Sequence, residues 1–87
     1  MDTKKTWYFT FGCGHALKKH VQPIRAKSAW HARLKMFDMY GQKWADQYDE
    51  KRFREVDAEW GPYARLPEEV VTEDEAVDIA QRMEVPA

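Results

Sequence analysis

Four side chains able to hold a borderline-soft metal fall within nineteen residues: Cys13, His15, His20 and His31. A closed zinc site needs four such ligands converging tetrahedrally, and its usual signature pairs C-x₂₋₄-C with H-x₃₋₅-H. Here the spacing is C-x-H-x₄-H-x₁₀-H. It matches no standard pattern, so solvent-facing histidines and no metal are expected. Cys13 beside His15, with Lys18 and Lys19 close by, also has the outline of an activated thiol, because a thiolate nucleophile needs a base and an electropositive setting. No third group to orient the base is indicated, and residues two apart on an extended segment share a face without being set for proton transfer. Gly12-Cys13-Gly14 completes neither a P-loop nor a dinucleotide fingerprint. A glycine turn is the expectation, with no catalytic residues and no cofactor.

Binding chemistry has more to work with. Lys18, Lys19, His20, Arg25, Lys27, Arg33 and Lys35 cluster in sequence, and Tyr8 and Trp30 could offer stacking surfaces beside them, as in proteins that hold single strands. The pI of about 6.3 is low for a dedicated nucleic-acid binder. Residues 1–44 carry nine Lys/Arg against two Asp/Glu, a sum of +7, and residues 45–87 carry five against thirteen, a sum of −8. A two-signed chain can meet a basic partner with acidic positions such as Glu68, Glu69, Glu73 and Asp74, which would imitate a row of phosphates. The plainer reading is that the two halves neutralise each other within one domain. The candidate binding residues are therefore Tyr8, Lys18, Lys19, Arg25, Trp30, Glu68 and Glu69, with a protein partner ahead of nucleic acid.

These residues need elements to position them. Ser28–Gly41 has the start, period and stop of a helix: Ser28 can cap the first turn, and Gly41 suits a left-handed C′ position. At about 100° per residue, Ala29, Ala32, Met36, Met39 and Tyr40 share a side, with Phe37 at its margin and His31, Lys35 and Asp38 opposite. Lys5–Phe11 alternates as a strand, with Trp7, Phe9 and Phe11 against Thr6, Tyr8 and Thr10. His20–Ala26 reads as a second strand, and Pro23, unable to donate to a ladder, points to an edge or a bulge. Gln42–Tyr48 fits a third strand. Asp49 caps a short helix with Phe53, Val56 and Trp60 on one side, and Gly61-Pro62 ends it. Tyr63–Leu66 fits a further short strand. Thr72 and Glu75 form a capping box for a last helix with an apolar stripe of Ala76, Ile79, Ala80 and Met83. The expected fold is α+β, with a three- to four-stranded, mainly antiparallel sheet on a central helix in the order β-β-α-β-α-(β)-α.

The totals agree. Eighty-seven residues make one domain burying only about 60% of its unfolded surface, and four Trp, four Tyr and four Phe strengthen so thin a core. A single cysteine excludes an intrachain disulfide, and MDTKKTWYFTF has neither a signal peptide's apolar core nor a membrane span. A cytoplasmic protein is expected.

The run Tyr8-Phe9-Thr10-Phe11-Gly12 with Gly14-His15, then Ala32-Arg33, Met36-Phe37, Tyr40-Gly41, Lys43-Trp44-Ala45 and Gln47-Tyr48, resembles a group of small uncharacterised bacteriophage and prophage proteins. The resemblance covers about Trp7 to Phe53. In the similar proteins the second strand is a plain apolar alternation, which Gln22 and Pro23 interrupt here. The resemblance implies a mobile-element source, a bacterial host cytoplasm and action by occupying a host or phage macromolecule, a class that includes anti-CRISPR inhibitors of host defence. It brings no catalytic residues with it.

Overall fold

The computed structural model describes residues 4–83 apart from Cys13. Its elements run β1 (Lys5–Thr10), β2 (His20–Ala26), α1 (Ala29–Tyr40), β3 (Asp46–Tyr48), α2 (Glu50–Trp60), β4 (Ala64–Arg65), β5 (Glu69–Val70) and α3 (Glu73–Met83). The class is α+β, as expected. β1 is central, antiparallel to β2 on one side and to β3 on the other. The sheet is mixed rather than wholly antiparallel, because β4 and β5 both lie parallel to β2 along its far side. β5 has no counterpart in the sequence reading, since two residues are too few to show a period.

β1 is buried on both faces. Phe9 and Phe11 join Ile24, Ala26, Ala32, Leu34, Met36, Ala76 and Ile79 in the main core, with Trp7, Tyr40 and Trp44 packed against it. The expected grouping of Trp7, Phe9, Phe11, Met36, Tyr40 and Trp44 forms, with Phe9, Phe11 and Met36 buried and Trp7, Tyr40 and Trp44 partly buried against them. On the other face Tyr8 stacks on Phe53 of α2, ring centroids 4.5 Å apart, in a second core with Val21. The first two expected N-caps form: Ser28 Oγ accepts from the His31 amide at 3.2 Å and Asp49 Oδ1 from the Arg52 amide at 2.8 Å. Gly41 has φ 64° and donates its amide to Phe37 O, ending α1 in a conformation costly for a residue with a side chain. Thr72 Oγ1 accepts from the Glu75 amide at 3.1 Å at the start of α3. The Met83 side chain, part of the expected stripe, lies outside the described residues.

β2 is internal, which corrects the expectation of an edge. Carbonyls of Val21 and Arg25 accept from Leu66 and Val71 on its outer side, so Pro23, between them, would have aimed its missing N–H the same way. That is where β4 gives way to β5. The Gln22 side chain fills the break: Nε2 donates to Pro23 O at 3.0 Å and to Pro67 O at 2.8 Å, while Oε1 accepts from Tyr40 Oη at 2.9 Å. A buried amide with both donors and its acceptor engaged is a stabilising polar contact, whereas orphaned partners each cost about 1–3 kcal/mol. β3 is also shorter than expected. The segment before it leaves the sheet, so Trp44 lies edge-on to Phe9 at 5.1 Å while Tyr48 packs in the other core.

Met36 is fully buried, so Met36→Asp places an unpaired carboxylate in the main core and should leave the domain unfolded, while Met36→Leu should cost less than about 1.5 kcal/mol; urea denaturation checks both. Gln22→Met keeps the volume but orphans Tyr40 Oη and two proline carbonyls, and should destabilise more than Tyr40→Phe. Burial, and secondarily the charge of Glu69, raise the Tyr40 pKa above its usual value of 10.0. A raised native pKa favours the protonated fold, so this contribution is full below pH 10 and lost as pH climbs through the raised value. Tyr40→Phe should therefore lessen the alkaline fall in stability, read as melting temperature against pH.

Candidate functional site

The structure separates the candidate residues. Tyr8 is only 5% exposed and stacked on Phe53, with the Arg65 guanidinium 5.2 Å above its ring, so it presents no surface to a partner. Trp30, in the first turn of α1, is 57% exposed. Arg25 lines a cavity of about 360 Å³ with Lys5, Thr6, Trp7, Asp49 and Glu50, away from the two lysines. Glu68 Oε1 accepts from Thr6 Oγ1 at 3.3 Å, and Glu69 is half-buried in β5.

A small part of the charge split is spent inside the molecule. Periodicity places His31, Lys35 and Asp38 on a solvent face; they lie instead along a seam with α3. His31 Nε2 meets Glu73 at 3.3 Å, Lys35 Nζ meets Glu75 at 2.6 Å, and Asp38 meets Arg82 at 3.0 Å. Leu34, in the same stripe and absent from the expected apolar face, is buried beneath them. A hydrophobic period identifies an apolar side, but cannot show that a polar side faces a second helix of opposite charge. Glu73 and Glu75 therefore have a second role beside favouring the positive end of the α3 dipole.

The three histidines lie in separate surroundings. His15 Nδ1 accepts from the Leu17 amide at 2.9 Å and its ring lies 4.8 Å from Phe11, His31 Nδ1 lies 2.6 Å from Ser28 Oγ, and His20 Nδ1 is buried without a partner. Among the described residues no three His, Cys, Asp or Glu side chains gather as metal ligands would. Cys13, and with it the thiol reading, lies outside them. No helix among the described residues is long and apolar enough to cross a membrane.

Lys18 and Lys19 do come together with chemistry, and with residues that sequence reasoning did not assign to a site. They line a groove of about 210 Å³ with Phe11, Trp60 and Tyr63 at the end of the sheet. Trp60 was expected to share the buried side of Phe53 and Val56. It is 66% exposed, because α2 carries it one turn beyond Val56 to the end of the sheet, where β1 has already stopped. The groove's far wall is held firmly. Asp57 Oδ1 accepts from the Tyr63 amide at 2.9 Å, and a Cβ at Gly61 would fall 2.5 Å from Asp57 O, so only glycine permits this tight exit from α2. Lys19 O accepts from the Ala64 amide at 2.9 Å, tying the basic turn to β4. Both lysine side chains are without an ion-pair partner among the described residues. The signal that could have found this site is a tryptophan as the last residue before Gly-Pro, where a helix ends and its face runs out of cover.

No protein-family model matches the chain, and comparisons with curated proteins and with solved structures find no match either.

The seam yields a graded expectation. The Lys35 side chain is 13% exposed, so Glu75→Gln leaves a nearly buried ammonium poorly compensated and should cost about 1–3 kcal/mol. Glu73 is mostly exposed, and Glu73→Gln should stay within about 0.5 kcal/mol at pH 7. Chemical denaturation of the two variants side by side checks the ranking.

Proposed function

We propose that this chain works by docking on another macromolecule, as a non-catalytic accessory protein of a bacteriophage or prophage in the cytoplasm of its bacterial host. Components of host defence, including CRISPR nucleases, are among the partners this reading covers. The observation that supports it best is the exposure of Trp30 and Trp60 in a domain whose other aromatic rings are at least half-buried. Tryptophan is the residue most enriched among those that dominate binding energy, and leaving two of them in water costs solubility unless something covers them. The mobile-element setting comes from the resemblance alone.

Imitation of a phosphate row by Glu68, Glu69, Glu73 and Asp74 has less to stand on, since Glu68 and Glu73 contact Thr6 and His31. Tagged protein should retain a partner from host lysate, and Trp30→Ala or Trp60→Ala should release it while Glu68→Lys with Glu69→Lys does not. Loss of the partner through the glutamate changes alone would restore the acidic row. Turnover of a small molecule by the pure protein, with no partner recovered, would overturn the docking reading.

A further inference from the structure

We infer that the groove between Trp60 and the Lys18-Lys19 turn is a stacking site for single-stranded nucleic acid. The inference deepens the docking reading and rests on it, by giving one of the two exposed tryptophans a ligand chemistry. Three features converge. Trp60 is 66% exposed, and an indole in water is a platform on which a base can stack without regard to sequence. Lys18 and Lys19 stand exposed along the same groove without internal counter-ions among the described residues, unlike Lys35, whose charge is neutralised by Glu75. Tyr63 adds a second, half-buried ring to the lining, and its backbone is fixed by Asp57.

An acidic peptide is the competing ligand, and the neighbouring backbone serves it badly. A peptide strand adds to an open sheet edge through a run of free main-chain groups. The edge beside this groove is β4, two residues long, and one residue beyond it, after Leu66, stands Pro67, which has no N–H to offer. What remains is ring and ammonium chemistry, which matches a base and its phosphate. Glu59, the nearest acidic residue in sequence, does not line the groove. No acidic side chain among the described residues lines the groove, and Glu73 and Glu75 of the acidic second half are turned to α1.

The test is fluorescence anisotropy of a labelled oligo-dT of about ten nucleotides, within the span that single-strand sites occupy, titrated with the intact protein over a salt series. Duplex DNA of equal length and poly-glutamate are the comparison ligands. The single strand should bind at low salt in preference to both, and weaken steeply as salt rises. Trp60→Ala should reduce affinity about tenfold or more. Lys18→Gln and Lys19→Gln should each flatten the slope of log affinity against log salt by about 0.7. All three positions are exposed, so circular dichroism should show intact folds. Absence of oligo-dT binding at low salt overturns the inference, as does binding indifferent to Trp60. Poly-glutamate binding that depends equally on Trp60 replaces it with an acidic-peptide site. A partner still recovered from lysate through Trp30 would then leave the docking reading standing, so the two fail separately.

Discussion

A proline in the middle of an internal strand is the constraint that organises this fold. β2 must pair on both sides, yet Pro23 has no hydrogen to give on the outer side. One long neighbour strand would leave its matching carbonyl unpaired. Two short parallel strands avoid this by ending before and starting after the gap, and the Gln22 amide occupies the space between. Because Tyr40 donates to the same amide, the repair of the sheet is also a bolt to α1. The segment through Pro67 is thereby held along β2, and from there the chain can return as α3 beside α1.

That return brings some of the chain's opposite charges together: Glu73 and Glu75 of the acidic half meet His31 and Lys35 of the basic half between α1 and α3, and Arg82 meets Asp38. Isolated surface pairs contribute little to stability, so the seam acts chiefly through register. It holds Leu34 and Met36 under Ala76 and Ile79, and these apolar contacts supply the larger share of the energy.

What could be read from the residues in order was local. Ser28, Asp49 and Thr72 announce helix starts because a cap is made within four residues, and the alternation of β1 survives because both faces are packed. What could not be read was relational. Tyr8 looked spare until Phe53 arrived from another element, Lys35 looked solvated until Glu75 did, and Trp60 looked buried because its angle matched Phe53 while its height did not. The lysines of the groove were visible as charges, but their pairing with Trp60 depends on Gly61 turning the chain and on Ala64 meeting Lys19.

The position of α3 bears on how the protein is made. Its Ala76 and Ile79 complete the main core, so the hydrophobic side of α1 remains open until residues through the last helix have left the ribosome. Synthesis proceeds at about 5–20 residues per second, and contacts that join distant parts of a chain form late. β1, β2 and α1 thus wait, with the side of the core around Leu34 and Met36 incomplete, for Ile79, some forty residues downstream of Met36. During that interval the nascent chain is a client for whatever shields apolar surface in the cell, and a stop codon anywhere before α3 would release a chain prone to aggregate rather than a smaller folded unit.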